Sequence, residues 1–313
     1  MIEIKNLTKR FQDFTALENV TCTIGSGCIY GMVGSNGAGK STTMNMITGY
    51  LGATSGEVKI NGHDIFADPQ EAKKCVGYLP EIPPLYTEMT VREYLDFVAE
   101  LKGLDKKVRK TQTEEIMELT HTKEVSERLI RNLSKGYRQR VGFAQAIMGY
   151  PDVIILDEPT VGLDPKQIIE VRELIKELGK KHTVILSSHI LSELSQMCTD
   201  IGIIDQGRMI LEGNIQDILS RVNASNPLVI SVYSNMEKAL SILKSHPCVR
   251  TISMREKDIC VRFAGDARDE AVLLQQLIDS DVLVNGFTRE KGSLETVFMQ
   301  LTDHEEERVV TSY

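Results

Sequence analysis

Residues Cys28–Leu51 read CIYGMVGSNGAGKSTTMNMITGYL. An apolar, strand-like run from Cys28 to Val33 enters a loop that holds Gly34, Gly37 and Gly39. Lys40, Ser41 and Thr42 come next, and a helical pattern with Met44, Met46, Ile47 and Leu51 follows. Gly34, Gly39, Lys40 and Ser41 satisfy G-x-x-x-x-G-K-[ST] in the strand–loop–helix context that the spacing requires. The glycines let the backbone wrap phosphates closely, so that N–H groups from Gly34 through Asn36, Gly37, Ala38 and Gly39 to Thr42 can turn inward. The helix opening near Lys40 adds its positive N-terminal end. Lys40 is placed to reach the β- and γ-phosphates, and the Ser41 hydroxyl to ligate Mg²⁺. This stretch predicts a nucleoside triphosphate site.

A second informative stretch runs NLSKGYRQRVGFAQAIMGYPDVIILDEPTVGLD. Ser134 is the expected N-cap of a helix from Lys135 to Met148, with Val141, Phe143, Ala144 and Ile147 facing inward. Ser134 and the Gly136 backbone then form a helix N-terminus that is either an ordinary cap or a second anion site. Val153 to Leu156 reads as a buried parallel strand ending in Asp157 and Glu158. Ligands of open parallel sheets sit outside the carboxyl ends of the strands. Asp157 is therefore expected near Mg²⁺, and Glu158 where it can orient an attacking water. Asp164, followed by Pro165, caps a helix from Lys166 to Leu178. Thr183 to Leu186 is another buried strand, and His189 lies just past its end, beside the γ-phosphate or in a structural hydrogen bond.

Composition sets the limits around these sites. At 313 residues the chain is long enough for two domains, and 42% hydrophobic with 26% charged residues predicts a folded, soluble protein. A net charge of −8 argues against broad nucleic-acid binding, which needs a basic surface. No apolar run approaches the roughly 18 to 20 residues that span a bilayer. The start, MIEIKNLTKRF, has no signal-peptide core, and the scattered cysteines show no metal spacing. A cytosolic protein with reduced thiols is expected.

The remaining segments place these motifs in order. Residues 2–4 and 20–24 alternate like strands, and between them Phe11 and Phe14 are either core residues or a flat face for a purine. GEVKINGHDI reads as strand and turn, and VGYLP as a short strand before a rigid loop that holds Glu81. Residues 88–128 are helical, with Thr90 and Glu93 forming a capping box. Beyond Asn223 the order becomes β-α-β-β-α-β, a ferredoxin-like pattern with no catalytic cluster.

These stretches together resemble the ATP-binding cassette family, the nucleotide-binding subunits of ABC transporters. GSNGAGKST is its phosphate loop, LSKGYRQR resembles its signature, VIILDEP its Walker B strand, TVGLD its D-loop and SSHIL its switch histidine. The resemblance covers residues 2 to about 220, with its motifs in order. It implies an α/β P-loop core with an antiparallel β subdomain and an inserted helical subdomain at about 84–150, within a nucleotide-binding domain of 1–220. An α+β accessory domain at 225–301 and an acidic tail at 302–313 complete the expected chain.

The resemblance implies ATP and Mg²⁺ as ligands and a head-to-tail dimer of two copies or of related subunits. In that dimer Ser134 and Gly136 of one chain cap the γ-phosphate held by the other, and Asp164 belongs to the shared site. Phe11 takes the adenine-stacking position, Asp157 supports Mg²⁺, Glu158 polarises water and His189 holds the γ-phosphate. A separate transmembrane permease is the implied partner, which puts this chain on the cytoplasmic face of the membrane.

Three departures stand out. Lys135 and Tyr137 replace a glycine and a glutamine of the signature, and Glu81 replaces a glutamine that senses Mg²⁺ and the permease. LSKGYRQR, GYLPE and the C-terminal extension point to the ABC-2 type exporter ATPases. The alternative of a soluble ABC ATPase on ribosomes or DNA would call for two cassettes or a coiled-coil insertion. A P-loop kinase would lack LSKGY, and a GTPase would need N-K-x-D. The cargo is not encoded here.

Overall fold

The structure, a computed structural model, describes residues 1–290, 292–299 and 301. It divides into two compact units, Met1–Ile215 and Gln216–Tyr313. The first unit opens with two long antiparallel strands, β1 (Ile2–Phe11) and β2 (Phe14–Ile24), paired from Ile2 with Ile24 to Phe11 with Phe14. They outrun the strands expected at 2–4 and 20–24. Register irregularities between Ile4 and Arg10 absorb the breaks in alternation that hide the rest of the hairpin in the sequence. Phe11 and Phe14 flank the tip and are 45% and 63% exposed, so neither is a core residue.

Strand β3 (Ile29–Val33) leads through the glycine loop into α1 (Lys40–Ile47). Then β4 (Ser55–Ile60) and β5 (His63–Asp64) complete a sheet of order β2-β1-β4-β5. The short α2 (Pro69–Lys74), absent from the sequence expectations, precedes β6 (Val76–Leu79). A helical block follows, comprising α3 (Val91–Leu101), α4 (Lys106–Leu119) and α5 (Lys135–Ile147). The Thr90–Glu93 capping box opens α3 as expected.

Strand β7 (Val153–Leu156), helix α6 (Pro165–Gly179), strand β8 (Thr183–Ser188) and helix α7 (Leu191–Met197) lead to β9 (Asp200–Asp205) and β10 (Arg208–Asn214). The central sheet has the order β10-β9-β3-β8-β7-β6. β9, β3, β8, β7 and β6 run parallel, and β10 closes the edge antiparallel. Every residue of β3, β7 and β8 is buried, which is why these segments read as unbroken apolar runs rather than alternating ones. The main core joins Ile2, Leu17, Met32, Met44, Ile47 and Ile155, so both sheets close around α1. Burying that much apolar side chain is the chief force holding the loop between β3 and α1 in place.

Helix α8 (Ile215–Ser225) lies at the boundary between the units. The second unit orders β11 (Leu228–Ser234), α9 (Met236–Ser245), β12 (Val249–Arg255), β13 (Asp258–Phe263), α10 (Ala267–Asp279) and β14 (Leu283–Arg289). The sheet order β12-β13-β11-β14 is antiparallel, and Ile230, Leu243, Val261 and Leu273 belong to a core of its own. Residues 294–299 are helical, and the acidic tail expected at 302–313 lies outside the described residues.

Candidate nucleotide site

The carboxyl ends of β3, β7 and β8 converge on a cleft of about 460 Å³. Asn36, Gly37, Gly39, Lys40, Ser41, Thr42, Glu81, Glu158 and His189 line it, together with Phe14, Ala16 and Val161. The loop between β3 and α1 holds its shape through two glycines at positive φ, Gly37 at 84° and Gly39 at 111°. A Cβ on Gly39 would stand 2.6 Å from Leu17 Cδ2, and one on Gly34 2.3 Å from the Ile204 carbonyl. Only glycine lets the loop lie this close to β2 and β9. No side chain caps α1, so its first amides are left for an anion.

Lys40 is 6% exposed, and its Nζ donates to the carbonyls of Gly34 at 2.8 Å and Ser35 at 3.2 Å. Burial pulls its pKa below the ordinary lysine value, while the nearby Glu158 and Asp157 carboxylates push it back up. The ammonium is thereby held over the loop, 4.0 Å from Glu158 Oε1.

Asp157 and Glu158 separate at the end of β7. Asp157 is buried, and its Oδ1 accepts from Ser187 Oγ of β8 at 2.6 Å. Glu158 turns into the left-handed region at φ 47°, held there because its N–H donates to the same Ser187 oxygen at 2.9 Å. The turn brings Glu158 Oε2 within 3.0 Å of His189 Nδ1, where the two share a hydrogen bond. No sequence signal marks Ser187, although it stands in SSHIL two residues before His189.

Other expected residues lie outside the cleft lining. Within the loop, the Gly34 carbonyl accepts from Lys40 and Ala38 is buried. Phe11 is absent from the wall and packs under Lys9, whose Nζ is 4.9 Å from its ring centroid, whereas Phe14 lines the cleft. Ser134, Gly136 and Asp164 form a separate place. Ser134 Oγ accepts from Tyr137 N–H at 3.3 Å as the N-cap of α5, and Asp164 caps α6 in a capping box with Gln167. A Cβ on Gly136 would meet the Gln167 side chain at 2.6 Å, so these two caps touch each other rather than the phosphate loop.

The donors suit Mg²⁺ that arrives with a nucleotide. Ser41 and Glu81 line the cleft, and Asp157, outside that lining, is held next to Glu158 through the Ser187 hydroxyl. Among the described residues no cluster of His, Cys, Asp and Glu forms a cage that holds a metal unaided. Magnesium prefers this arrangement, with one or two protein oxygens while phosphates and water fill the rest of an octahedron.

Residues 17–161 match the family described as ABC transporter. The chain is 31% identical to the bacitracin transport ATP-binding protein BcrA of Bacillus licheniformis over 96% of its length and 97% of that protein. The chain belongs to the ABC transporter ATP-binding family. It is 30% identical to the linearmycin resistance ATP-binding protein LnrL of Bacillus subtilis, over 96% of this chain and 98% of that one. The dimeric structure of MJ0796, a bacterial ABC transporter cassette, superposes with a TM-score of 0.63 at 26% identity. It covers 69% of this chain, and 99% of the MJ0796 chain is matched. Like its family, this ABC ATPase is a P-loop protein that binds ATP with Mg²⁺ and couples ATP hydrolysis to transport. Among the described residues no helix is long and apolar enough to cross a membrane.

Proposed function

We propose that residues 1–220 form the motor domain of an exporter, working as a dimer on a separate membrane permease, with 225–301 as an accessory domain. The observation that carries this reading is the meeting of Lys40, Glu158 and His189 in one cleft at the ends of three parallel strands. The loop amides from Gly34 to Thr42 and the Lys40 ammonium bind the β- and γ-phosphates. Ser41 and Asp157 hold Mg²⁺ with Glu81 nearby, and the ion when bound neutralises charge on the phosphate oxygens. Glu158 takes a hydrogen bond from the attacking water and orients it in line with the γ-phosphate. His189 holds Glu158 through their shared hydrogen bond and contacts the γ-phosphate. Adenine stacks on the aromatic hairpin tip, at Phe11 by family position, with Phe14 nearer the phosphates.

Ser134, Gly136 and Asp164 serve the second chain. They lie together and away from their own phosphate loop, which supports a head-to-tail pairing in which they close the partner's site. MJ0796 is a dimeric cassette of the same fold. The permease docks beside Glu81. Exposed Tyr50, Ile82, Tyr86 and Leu101 line a groove of about 980 Å³, an apolar surface of the kind that marks a partner. Glu81 lines both this groove and the nucleotide cleft, so it is placed to relay the state of one to the other. The relatives named for bacitracin transport and linearmycin resistance favour export and a place on the cytoplasmic face of the membrane.

The test is Glu158→Gln in the full chain. Loss of the base should lower kcat about 10²–10⁴-fold, while ATP binding survives and an ATP-bound dimer accumulates in size-exclusion chromatography. Turnover at the wild-type rate would remove Glu158 from this role.

A further inference from the structure

A buried carboxylate outside the cleft ties the Glu158 loop to the helix after His189. Glu193, on the first turn of α7, is 6% exposed. Its Oε2 accepts from Thr160 Oγ1 at 2.7 Å, and Thr160 is itself 5% exposed. The other carboxylate oxygen stands 4.0 Å from Arg172 Nη2 of α6, and Arg172 Nη1 donates to Gln196 at 2.6 Å. A carboxylate taken out of water carries a desolvation cost that an apolar residue of similar size would avoid.

The bond sits where geometry matters for the chemistry. The turn after β7 is tightened by Val161 N–H to Glu158 O at 3.2 Å and Leu163 N–H to Thr160 O at 3.2 Å. Its anchors come from three elements. Ser187 of β8 accepts from the Glu158 amide, and buried Gln139 of α5 donates to the Pro159 carbonyl at 3.3 Å. Glu193 of α7 is the third. Helix α7 follows His189 directly, with its first-turn amide of Glu193 bonded to the Ile190 carbonyl at 3.2 Å. A shift of α7 therefore moves Thr160 and His189 together, and with them both sides of the Glu158–His189 hydrogen bond.

We infer that Glu193, acting through Thr160, is a positioning residue for hydrolysis that fixes Glu158 relative to His189. This rests on the reading of Glu158 as the group that orients water. Neither Glu193 nor Thr160 touches the nucleotide in this role. A mere core contact would affect folding and leave the ratio of binding to turnover alone.

The experiment compares Thr160→Val, Thr160→Ser and Glu193→Gln in the full chain, by steady-state ATPase kinetics, equilibrium ATP binding and amide hydrogen exchange. Valine keeps the shape of threonine and removes only the donor. Thr160→Val should lower kcat about 10- to 100-fold with ATP affinity within about threefold of wild type, as expected for a displaced reacting group. Thr160→Ser, which keeps the hydroxyl, should restore turnover, and Glu193→Gln, which keeps an acceptor oxygen, should lose less than Thr160→Val. The Val161 and Leu163 amides should exchange faster in Thr160→Val while β7 stays protected.

Wild-type kcat in Thr160→Val would overturn the inference, and so would equal losses in the serine and valine variants. A parallel fall of affinity and kcat would do the same. Failure of the wild-type chain to hydrolyse ATP would count against the Glu158 reading instead. The exchange pattern then decides the positioning bond alone, and unchanged exchange at Val161 and Leu163 would remove it.

Discussion

A glutamate in the left-handed backbone region costs on the order of 1–3 kcal/mol, and Glu158 bears that cost at φ 47°. The Ser187 oxygen offsets part of it, and the return is direction, since the carboxylate lands beside Lys40 and His189. Lys102 is a second residue held against its preference. Its side chain is exposed as a whole, yet its ammonium donates to the Met148 carbonyl at 2.6 Å. Burial of that head lowers its pKa to about 8. A lysine in the unfolded chain keeps its proton to about pH 10.4, so between about 8 and 10.4 the unfolded state binds more protons than the native one. The Lys102 contribution to stability should therefore rise with pH across that window and stop rising above it. Buried Cys22 and Cys198, whose thiols burial pushes up, contribute with the opposite sign above about pH 8.5. Denaturant midpoints between about pH 7.5 and 10 isolate the lysine by difference, and the wild type should gain on Lys102→Met as pH rises. Parallel curves would show that the ammonium is solvated. Lys40 is legible in the sequence from the G-x-x-x-x-G-K-[ST] spacing, and Glu158 and His189 because they follow the ends of buried strands. Ser187, Gln139 and Thr160 are not, because ordinary polar residues gain meaning only when the fold sets them against Asp157, Pro159 and Glu193.

Elements show the same division. The fully buried strands β3, β7 and β8 and the capped helices α3, α5 and α6 follow their sequence signals closely, because each has an unbroken apolar run or a cap with a mechanism. The short helices α2 and α7 escaped, being too brief for a 3.6-residue period to emerge, and the outer half of the β1–β2 hairpin hid behind its bulges. Contact between elements was least legible of all. Strand β6 lies so near α5 that a Cβ on Gly77 would stand 1.9 Å from the Ala146 carbonyl, and one on Gly142 would stand 2.6 Å from Leu79 Cδ1. The pair of glycines sets the distance between the signature helix and the strand that leads to Glu81. Gly77→Ala must push backbone from backbone, so it should cost about 3 kcal/mol or more, at or beyond the usual overpacking range. Gly25→Ala, with nothing within 4 Å of its Cβ, is the control and should change stability by less than about 1 kcal/mol. Chemical denaturation of both variants checks the contrast, and a tolerated Gly77→Ala would mean that α5 slides freely on β6.

At the scale of the whole molecule, one chain carries the two groups of residues proposed as halves of a site in different places. The phosphate loop, Glu158 and His189 share a cleft, while Ser134, Gly136 and Asp164 meet at the touching caps of α5 and α6. If the halves combine only between chains, mutations in different halves should complement each other. Lys40→Ala disables the loop half, because it removes the cation held over Gly34 and Ser35. Ser134→Arg disables the closing half by filling the helix N-terminus with charge of the wrong sign for that end of the dipole. Each variant alone should be nearly inactive. In a mixed dimer one site combines both defects, and the other pairs an intact loop with an intact Ser134. Random pairing makes half of the dimers mixed, each with one complete site, so an equal mixture should recover about a quarter of wild-type turnover if the sites act independently. ATPase assays across mixing ratios, with total chain held constant, should trace a maximum at equal amounts. Activity that stays at the level of the separate variants would mean that each chain completes its own site. Separate activity in Ser134→Arg would mean that the cap of α5 has no part in the reaction.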